Sequence, residues 1–423
     1  MRAIGLLRLL GFLGGAAIVQ AGTPSDFYLR DGDRVVFYGD SITEQQLYTT
    51  FVETYVATRF PKLDVTFFTS GWGGDQVTGG RGGNIDLRLR RDVFAHRPTV
   101  MTIMLGMNDA GYRAFDHVIF DTYRQGYEHI LESVKRNAPG IRLTLIQPSP
   151  YDDVTRPPDV GRGYNRVLVR YGKFVRQLAE RQAVTVADFN TSVVAVLKKA
   201  KDTDAELSTR IIPDRIHPGV AGQLLMAEAL LKSWNAPGLV TAVEIDGGQG
   251  RVVRAEATKV RGVKDGNGFW RWTQEDAALP MPVEMRDPVL TLAVASSDFV
   301  QALNQQPLKV TGLRAERYRL LIDLIDVGVF TKEQLAEGIN LAMLPTPMAK
   351  QAHVVHEQTL RRSTTHWTRW RTVEVPLAKS RNPKVQKALP EVLAGLEEEE
   401  EEVVKHERAT AQPKIRRYIL APE

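Results

Sequence analysis

Three short apolar runs near the start of the chain each lead directly into a glycine-containing polar block, and this arrangement strongly limits the fold. The runs are rich in β-branched and aromatic residues, which favours buried strands. They cover 34–39, 65–68 and 100–105. After the first run, Leu47, Phe51 and Tyr55 follow at four-residue spacing, so they share a helix face that can pack against the strands. Strands that alternate with such helices predict a parallel α/β sheet.

The same alternation continues to about residue 236. Asn190 or Thr191 is expected to cap one helix, and Pro218 is expected to open another. Together with the first three runs, the pattern predicts five parallel strands flanked by helices from about 30 to 236. The later helix patterns cover 123–134, 164–181 and 219–231, and the later strand patterns cover 142–146 and 184–187.

Four polar blocks hold the residue types that acyl transfer requires. They read Gly-Asp-Ser at 39–41, Gly-Trp-Gly-Gly-Asp at 71–75, Gly-Met-Asn-Asp at 106–109 and Asp-Arg-Ile-His-Pro at 214–218. Together they supply a serine hydroxyl, a glycine amide, a side-chain amide and an Asp/His pair. The first three blocks follow the predicted strands, and parallel α/β sheets bind ligands at the C-terminal ends of their strands. Each block alone is a weak signal, whereas the set at these positions indicates an active site.

Ser41 is the candidate nucleophile, because a serine hydroxyl becomes reactive when a neighbouring base takes its proton. His217 is the candidate base, and Asp214 on the same loop can hold one ring nitrogen while the other faces the serine. The backbone amides of Ser41 and Gly74 and the side-chain amide of Asn108 are the candidate oxyanion donors. The aspartates beside these residues are expected to form turns and hydrogen bonds, and not to transfer protons.

The four blocks resemble those of the SGNH (GDSL-type) hydrolases, a family named after its serine, glycine, asparagine and histidine. The resemblance covers about residues 30–236. It implies a three-layer α/β/α, flavodoxin-like domain that hydrolyses ester bonds, and we expect no cofactor and no metal. In the family an asparagine often precedes the glycine, whereas this chain has Thr69 and Ser70 there. The support of the glycine turn therefore departs from the family's pattern, while the catalytic set is complete.

The first residues of the chain predict an export signal. Arg2 gives a positive charge, an apolar stretch follows over 6–19, and Val19-Gln20-Ala21 suits a signal peptidase. We therefore expect residues 1–21 to be cleaved and the protein to be secreted or periplasmic, with an uncleaved N-terminal anchor as the open alternative. The chain has no cysteine, so its stability depends on the core and not on disulfides.

Charge gives little indication of a partner. The formal net charge is +5 and the basic residues are scattered, so the sequence does not predict nucleic-acid binding. After signal cleavage no membrane contact is expected, since no later segment offers an uninterrupted apolar run of about 18 residues. The sequence leaves the oligomeric state open.

The second half of the chain shows short extended runs separated by turn residues. Thr331 and Thr346 are expected to start two helices, the second reaching Trp370. The predicted strands cover 239–245, 252–260, 269–272, 289–295, 308–310 and 318–325. The predicted organisation is a signal peptide (1–21), an SGNH-like domain (25–236), a smaller β-rich domain with added helices (239–380) and a charged C-terminal helix or tail (381–423).

Three further sets of residues in the second half are expected to have structural roles. His353, His356 and His366 lack a carboxylate partner at the spacing of a zinc site. The six glutamates at 397–402 predict a solvated helix face. Four tryptophans could form a sugar-stacking platform, but core or interface positions are expected for them. They are Trp270, Trp272, Trp367 and Trp370.

The blocks and the export signal together predict an exported serine esterase that forms an acyl-enzyme on Ser41. The expected substrate is a carboxylic ester, in particular an acetyl group on a carbohydrate such as an acetylated polysaccharide. Three alternatives stay open: a non-catalytic exported carbohydrate-binding protein, a lysophospholipase and an acyltransferase. The sequence does not specify the alcohol, the acyl chain length or the role of residues 239–423.

Overall fold

The first half of the chain folds around a parallel five-stranded sheet flanked by helices. The computed structural model describes residues 26–266 and 268–423, so the predicted signal peptide at 1–21 lies outside the described residues. The strands are β1 (Asp33–Gly39), β2 (Val65–Gly71), the short hairpin β3 (Gly79–Gly80) and β4 (Gly83–Asn84), β5 (Val100–Met104), β6 (Arg142–Gln147) and β7 (Thr185–Asp188). The sheet has the order β2-β1-β5-β6-β7, and all neighbouring strands are parallel. The predicted α/β fold class is therefore confirmed. The helices are α1 (Ser41–Glu44), α2 (Leu47–Arg59), α3 (Ile85–Asp92), α4 (His117–Asn137), α5 (Asn165–Gln182), α6 (Phe189–Thr203), α7 (Ala205–Ser208) and α8 (Val220–Ser233).

The register of the sheet brings three of the polar blocks to one edge. Gly39 at the end of β1 pairs with Gly71 of β2 on one side and with Met104 of β5 on the other. The chain therefore leaves all three strands at the same level, and each polar block begins there. Parallel pairing alone produces this convergence, because it aligns the C-terminal ends of neighbouring strands.

Two helix starts differ from the prediction. Asp188 caps α6 by accepting from the Thr191 amide at 2.8 Å, because Asn190 is buried and its side-chain amide pairs with Asn165 instead. At the later helix, Gly219 takes the cap position in an extended conformation. Pro218 therefore precedes α8 and does not form its first residue.

The second half forms a β-rich domain with two sheets. The strands are β8 (Ala242–Asp246), β9 (Arg251–Glu256), β10 (Thr258–Gly266), β11 (Phe269–Asp276), β12 (Pro307–Thr311), β13 (Arg317–Ile322), β14 (Ile325–Thr331), β15 (Ile339–Asn340) and β16 (Ile415–Pro422). One sheet is antiparallel, with the order β10-β11-β16-β13-β14, and the other has the order β15-β12-β8-β9 with a parallel β8/β12 pair. The helices are α9 (Pro288–Ser296), α10 (Phe299–Leu303), α11 (Lys332–Glu337), α12 (Pro347–Trp367), α13 (Val375–Leu377) and α14 (Pro383–Ala411), and a π-helical segment, Thr368–Glu374, extends α12.

One prediction for this half was wrong, and another was incomplete. The run 289–295, predicted as a strand, is helix α9, because Asp287 accepts from the Val289 and Leu290 amides and Pro288 opens the first turn. The predicted C-terminal helix or tail at 381–423 does contain a helix, α14. The last residues of this region, however, form β16 between β11 and β13. The region 381–423 therefore also completes the domain's antiparallel sheet.

Helices α12 and α14 pack on α2 and so join the two halves. Within the glutamate run predicted to be solvated, Glu400 is only 8% exposed, because it faces the buried guanidinium of Arg362 at 3.3 Å. In the described part of the chain, no helix has the length and apolar character that crossing a membrane requires.

Candidate active site

Ser41 and His217 are in hydrogen-bond contact although 176 positions separate them. Ser41 Oγ lies 2.8 Å from His217 Nε2. The serine begins the short helix α1 directly after β1, and the buried Asp40 caps this turn by accepting from the Ile42 amide at 3.0 Å. The strand end and the cap together fix the position of the hydroxyl.

The two carboxylate oxygens of Asp214 have separate tasks. Oδ2 lies 2.6 Å from His217 Nδ1, while Oδ1 accepts from the backbone amides of Ile216 and His217 at 3.0 and 2.7 Å. Although partial burial alone would raise it, these amides and the histidine ring lower the pKa of Asp214 below its usual value. Asp214 is therefore held as a carboxylate that orients the ring and leaves Nε2 facing the serine.

Arg215 anchors the loop that carries this pair. Its backbone has a φ of 72°, in the left-handed region that non-glycine residues seldom adopt. The guanidinium donates to the carbonyls of Asp152 and Pro157, both at 3.0 Å, and its Nε lies 3.2 Å from Asp159. The Asp152 amide in turn donates to the Arg215 carbonyl. The histidine loop is thus braced by the neighbouring loop around 152–159.

Asn108 and the glycine block lie together at the adjoining strand ends. Asn108 Nδ2 donates to the Asp75 carbonyl at 3.0 Å, and the Gln76 side chain donates to the Asn108 carbonyl at the same distance. Gly74 has a φ of +79°, which favours glycine. One amide hydrogen of Asn108 remains for a ligand. The oxyanion-donor roles of these groups stay predictions.

Tyr112 is a residue that the sequence reasoning missed. Its hydroxyl donates to Asn108 Oδ1 at 3.1 Å. Burial, with Asp40 and Asp214 nearby, raises the pKa of Tyr112 to about 12, so the hydroxyl keeps its proton and remains a donor. The residue has a φ of 52°, a conformation that non-glycine residues adopt mainly where the fold requires it. The one available signal was its position four residues after Asn108.

Arg88 supports the glycine turn. The SGNH family often has an asparagine shortly before this turn, and this chain has none there. It is fully buried, and its Nη2 donates to the Ser70 carbonyl at 2.8 Å while its Nε contacts Asp75 at 2.7 Å. The Ser70 hydroxyl donates to the Asp92 carbonyl at 2.6 Å. A buried arginine from α3 therefore connects the residues before and after Gly74.

Asp40 and Asp109 are buried acids beside the site. Burial, opposed by backbone hydrogen bonds, raises the pKa of each to about 7. Repulsion from Asp109 adds to the rise at Asp40, and repulsion from Asp75 adds to the rise at Asp109. Asp109 Oδ1 accepts from the Val77 amide at 2.8 Å, and Asp40 caps α1. Both side chains form the hydrogen bonds expected of turn residues, in agreement with the sequence prediction.

Several of the histidines and tryptophans considered in the second half lie in packing contacts. His356 stacks on Phe51 with ring centres 5.2 Å apart and pairs with Thr54. Trp270 and Trp272 lie in the core of the second domain, and Trp370 is buried against Trp72 between the two halves. Among residues 26–266 and 268–423, no group of three or more histidine or acidic side chains is arranged to hold a metal.

Comparison with known proteins identifies the class of the first half of the chain. Residues 37–225 match the model of the GDSL-like lipase/acylhydrolase family. An acetylxylan esterase of Geobacillus stearothermophilus is 26% identical over 223 residues, which cover 48% of this chain and 93% of that protein. The structure of a gut microbial diltiazem-metabolizing enzyme aligns with a TM-score of 0.79 and 25% identity, over 93% of this chain and 98% of that one.

Residues 37–225 therefore form a hydrolase domain of the SGNH (GDSL) type, and the protein is a serine hydrolase that acts on ester bonds. No family model matches the second half. Because the diltiazem-metabolizing enzyme aligns with nearly the whole chain, the combination of the two halves recurs in that enzyme.

Proposed function

We propose that this protein is an exported esterase that removes short acyl groups, in particular acetyl, from carbohydrates. The observation that carries the proposal is the contact chain Asp214–His217–Ser41, with distances of 2.6 and 2.8 Å. Its second support is the similarity of the first half to an acetylxylan esterase. The features of residues 1–21 support export.

In the proposed first step, Ser41 Oγ attacks the ester carbonyl carbon while His217 Nε2 takes the hydroxyl proton. The carbonyl oxygen becomes an oxyanion, which the amides of Ser41, Gly74 and Asn108 stabilise. The intermediate then breaks its bond to the alcohol oxygen, and His217 returns the proton to that oxygen. The acyl group stays on Ser41 and the alcohol leaves.

In the second step, water replaces the alcohol. His217 takes a proton from the water as its oxygen attacks the acyl carbon, and the same donors hold the new oxyanion. When the bond to Ser41 Oγ breaks, His217 protonates the serine and the carboxylic acid leaves. Asp214 stays ionised throughout and stabilises the imidazolium.

A substrate panel tests the proposal. Purified protein should release acetate from acetylated xylan, and its kcat/KM for p-nitrophenyl esters should fall from acetate through butyrate to octanoate. A preference for octanoate together with no acetate release from xylan would contradict the carbohydrate assignment and favour a lipid substrate. Transfer of acetyl to an added sugar in excess over hydrolysis would instead identify an acyltransferase.

Export has a separate test. When the full chain is produced with its own N-terminus, the extracytoplasmic protein should begin after Ala21. A protein that keeps its first residues and sediments with membranes would indicate an uncleaved anchor, and retention in the cytoplasm would contradict export.

A further inference from the structure

Glu44 places a carboxylate beside the nucleophile. Ser41 and Glu44 are the first and last residues of α1, and a three-residue separation puts their side chains on the same side of a helical turn. A Cβ atom added to Gly73 would lie 2.7 Å from Glu44 Oε2 and 3.9 Å from Ser41 Cβ. The carboxylate therefore fills space that a glycine at position 73 leaves open, next to the serine.

Arg371 brings a guanidinium from the second half to the same place. It lies in the π-helical segment Thr368–Glu374, and such segments are frequent at functional sites. Its Cζ is 3.3 Å from the ring centre of Trp72, and its Nη2 is 3.8 Å from Glu44 Oε1. Trp72 belongs to the glycine block, so a residue of the β-rich half borders the catalytic residues of the SGNH half.

The contact between Arg371 and Glu44 leaves both groups able to form further hydrogen bonds. The separation of 3.8 Å exceeds hydrogen-bond distance, and Arg371 Nε is buried with no acceptor among the described residues. The Arg371 side chain is 28% exposed and that of Glu44 is 26% exposed, so both retain a face toward solvent. The pair thus presents charged donors beside a charged acceptor at the rim of the site.

We propose that Arg371 and Glu44 form a subsite that binds two neighbouring hydroxyl groups on the alcohol side of the ester. A hydroxyl both donates and accepts, so a vicinal diol can accept from the guanidinium with one oxygen and donate to the carboxylate with the other. Hydrogen bonds to charged groups are the stronger kind. This inference rests on the proposed esterase function and deepens it, because it makes the second half a determinant of polyol specificity.

The test compares two esters that carry the same acetyl group. Glycerol 1-monoacetate has a vicinal diol, and propyl acetate lacks both hydroxyls. The quantity measured is the ratio of kcat/KM for the first ester to kcat/KM for the second. We expect Arg371→Met and Glu44→Gln each to lower this ratio by about tenfold or more, mainly through KM. Arg381→Met, at an exposed position ten residues further along the chain, is the control and should leave the ratio unchanged.

The outcomes separate this inference from the proposed function. The subsite would be overturned if the wild type had equal kcat/KM for the two esters, or if the variants lowered kcat/KM for both esters by the same factor. Arg371 and Glu44 would then only connect the two halves. Thermal melting of each variant shows whether it is folded, and Glu44→Gln keeps the shape of the side chain if Arg371→Met is unstable. A wild-type preference for the diol without acetate release from xylan would support the subsite and overturn only the carbohydrate assignment.

Discussion

Arg362 of α12 places its Nη2 2.5 Å from the Glu53 carboxylate of α2, 309 positions earlier in the chain. The arginine side chain is 3% exposed, and its Nη1 donates to the Phe67 carbonyl of β2 at 2.7 Å. Glu400 of α14 lies on its other side. One buried guanidinium therefore connects a helix and a strand of the SGNH half with both long helices of the second half.

Arg362→Met should strongly destabilise the protein. The substitution leaves Glu53 buried without its cation, whereas Glu400 keeps Arg369 at 3.3 Å. Breaking a buried pair in this way costs about 3–5 kcal/mol. Urea unfolding measures the loss. Arg408→Met, which removes the exposed ion pair with Asp64 that also joins the halves, is the matched control and should cost less than about 1 kcal/mol.

The cost of Arg362→Met should also depend on pH. Burial raises the pKa of Glu53, and Arg362 opposes that rise. Without the arginine, Glu53 keeps its proton to higher pH, and a protonated carboxyl is the less costly form to bury. The variant should therefore lose less stability at pH 6 than at pH 9. An equal loss at both values would contradict the role assigned to this pair.

Asp214→Asn should lower kcat by about 10³- to 10⁴-fold while the fold is retained. An asparagine oxygen can still accept from the Ile216 and His217 amides, so the loop keeps its shape. The ring of His217, however, loses the carboxylate that fixes its tautomer and stabilises its cation. Steady-state kinetics with p-nitrophenyl acetate measure the effect, and a loss below tenfold would show that Asp214 does not orient the base.

Asn108→Ala and Tyr112→Phe should both lower kcat, and the effect of Asn108→Ala should be the larger one. Removing an oxyanion donor costs on the order of 10²- to 10³-fold in kcat. The Tyr112 hydroxyl donates to the carbonyl end of the same carboxamide, and Tyr112→Phe keeps the ring that stacks on Tyr164. Loss of the hydroxyl should therefore lower kcat by about fivefold to tenfold, the cost of one hydrogen bond, with little change in KM. If Tyr112→Phe changed KM and left kcat intact, the tyrosine would be a substrate contact and not a positioning residue.

Asp109→Asn should change the pH dependence of stability. Because the pKa of Asp109 is raised to about 7 in the folded protein, the folded state binds a proton that the unfolded state releases near pH 4. This contribution to stability is complete below about pH 4 and is lost as the pH rises through about 7. The variant should therefore gain stability relative to the wild type between pH 4 and pH 8, on the order of 2–4 kcal/mol. If the urea-unfolding midpoints of the wild type and the variant changed in parallel across that range, the raised pKa of Asp109 would be contradicted.

The parts of the fold that follow local patterns could be predicted from the sequence. Buried strands that end in glycine gave the parallel sheet, and parallel pairing then places Ser41 and the other blocks at one edge. The run 289–295 shows the limit of such patterns, because a short apolar segment suits a strand or a buried helix equally. The Asp-Pro pair at 287–288 was the signal that favours the helix.

The features that depend on distant pairing could not be predicted. Strand β16 contains a short apolar run, Tyr418–Leu420, that suits a strand, but nothing local indicates that it lies between β11 and β13. In the same way, the burial of Glu400 depends on Arg362, and the approach of Arg371 to Glu44 depends on how α12 packs against the first half. Charge runs and single arginines carry no information about such partners until the tertiary structure is known.

The catalytic role of Ser41 is tested most directly by its reaction with a fluorophosphonate, followed by intact-mass and peptide analysis. The same experiment measures p-nitrophenyl acetate hydrolysis by Ser41→Ala. We expect one label per chain, located on Ser41, and a loss of at least about 10³-fold in kcat in a folded variant. Labelling of another residue, or hydrolysis by Ser41→Ala at the wild-type rate, would contradict this role.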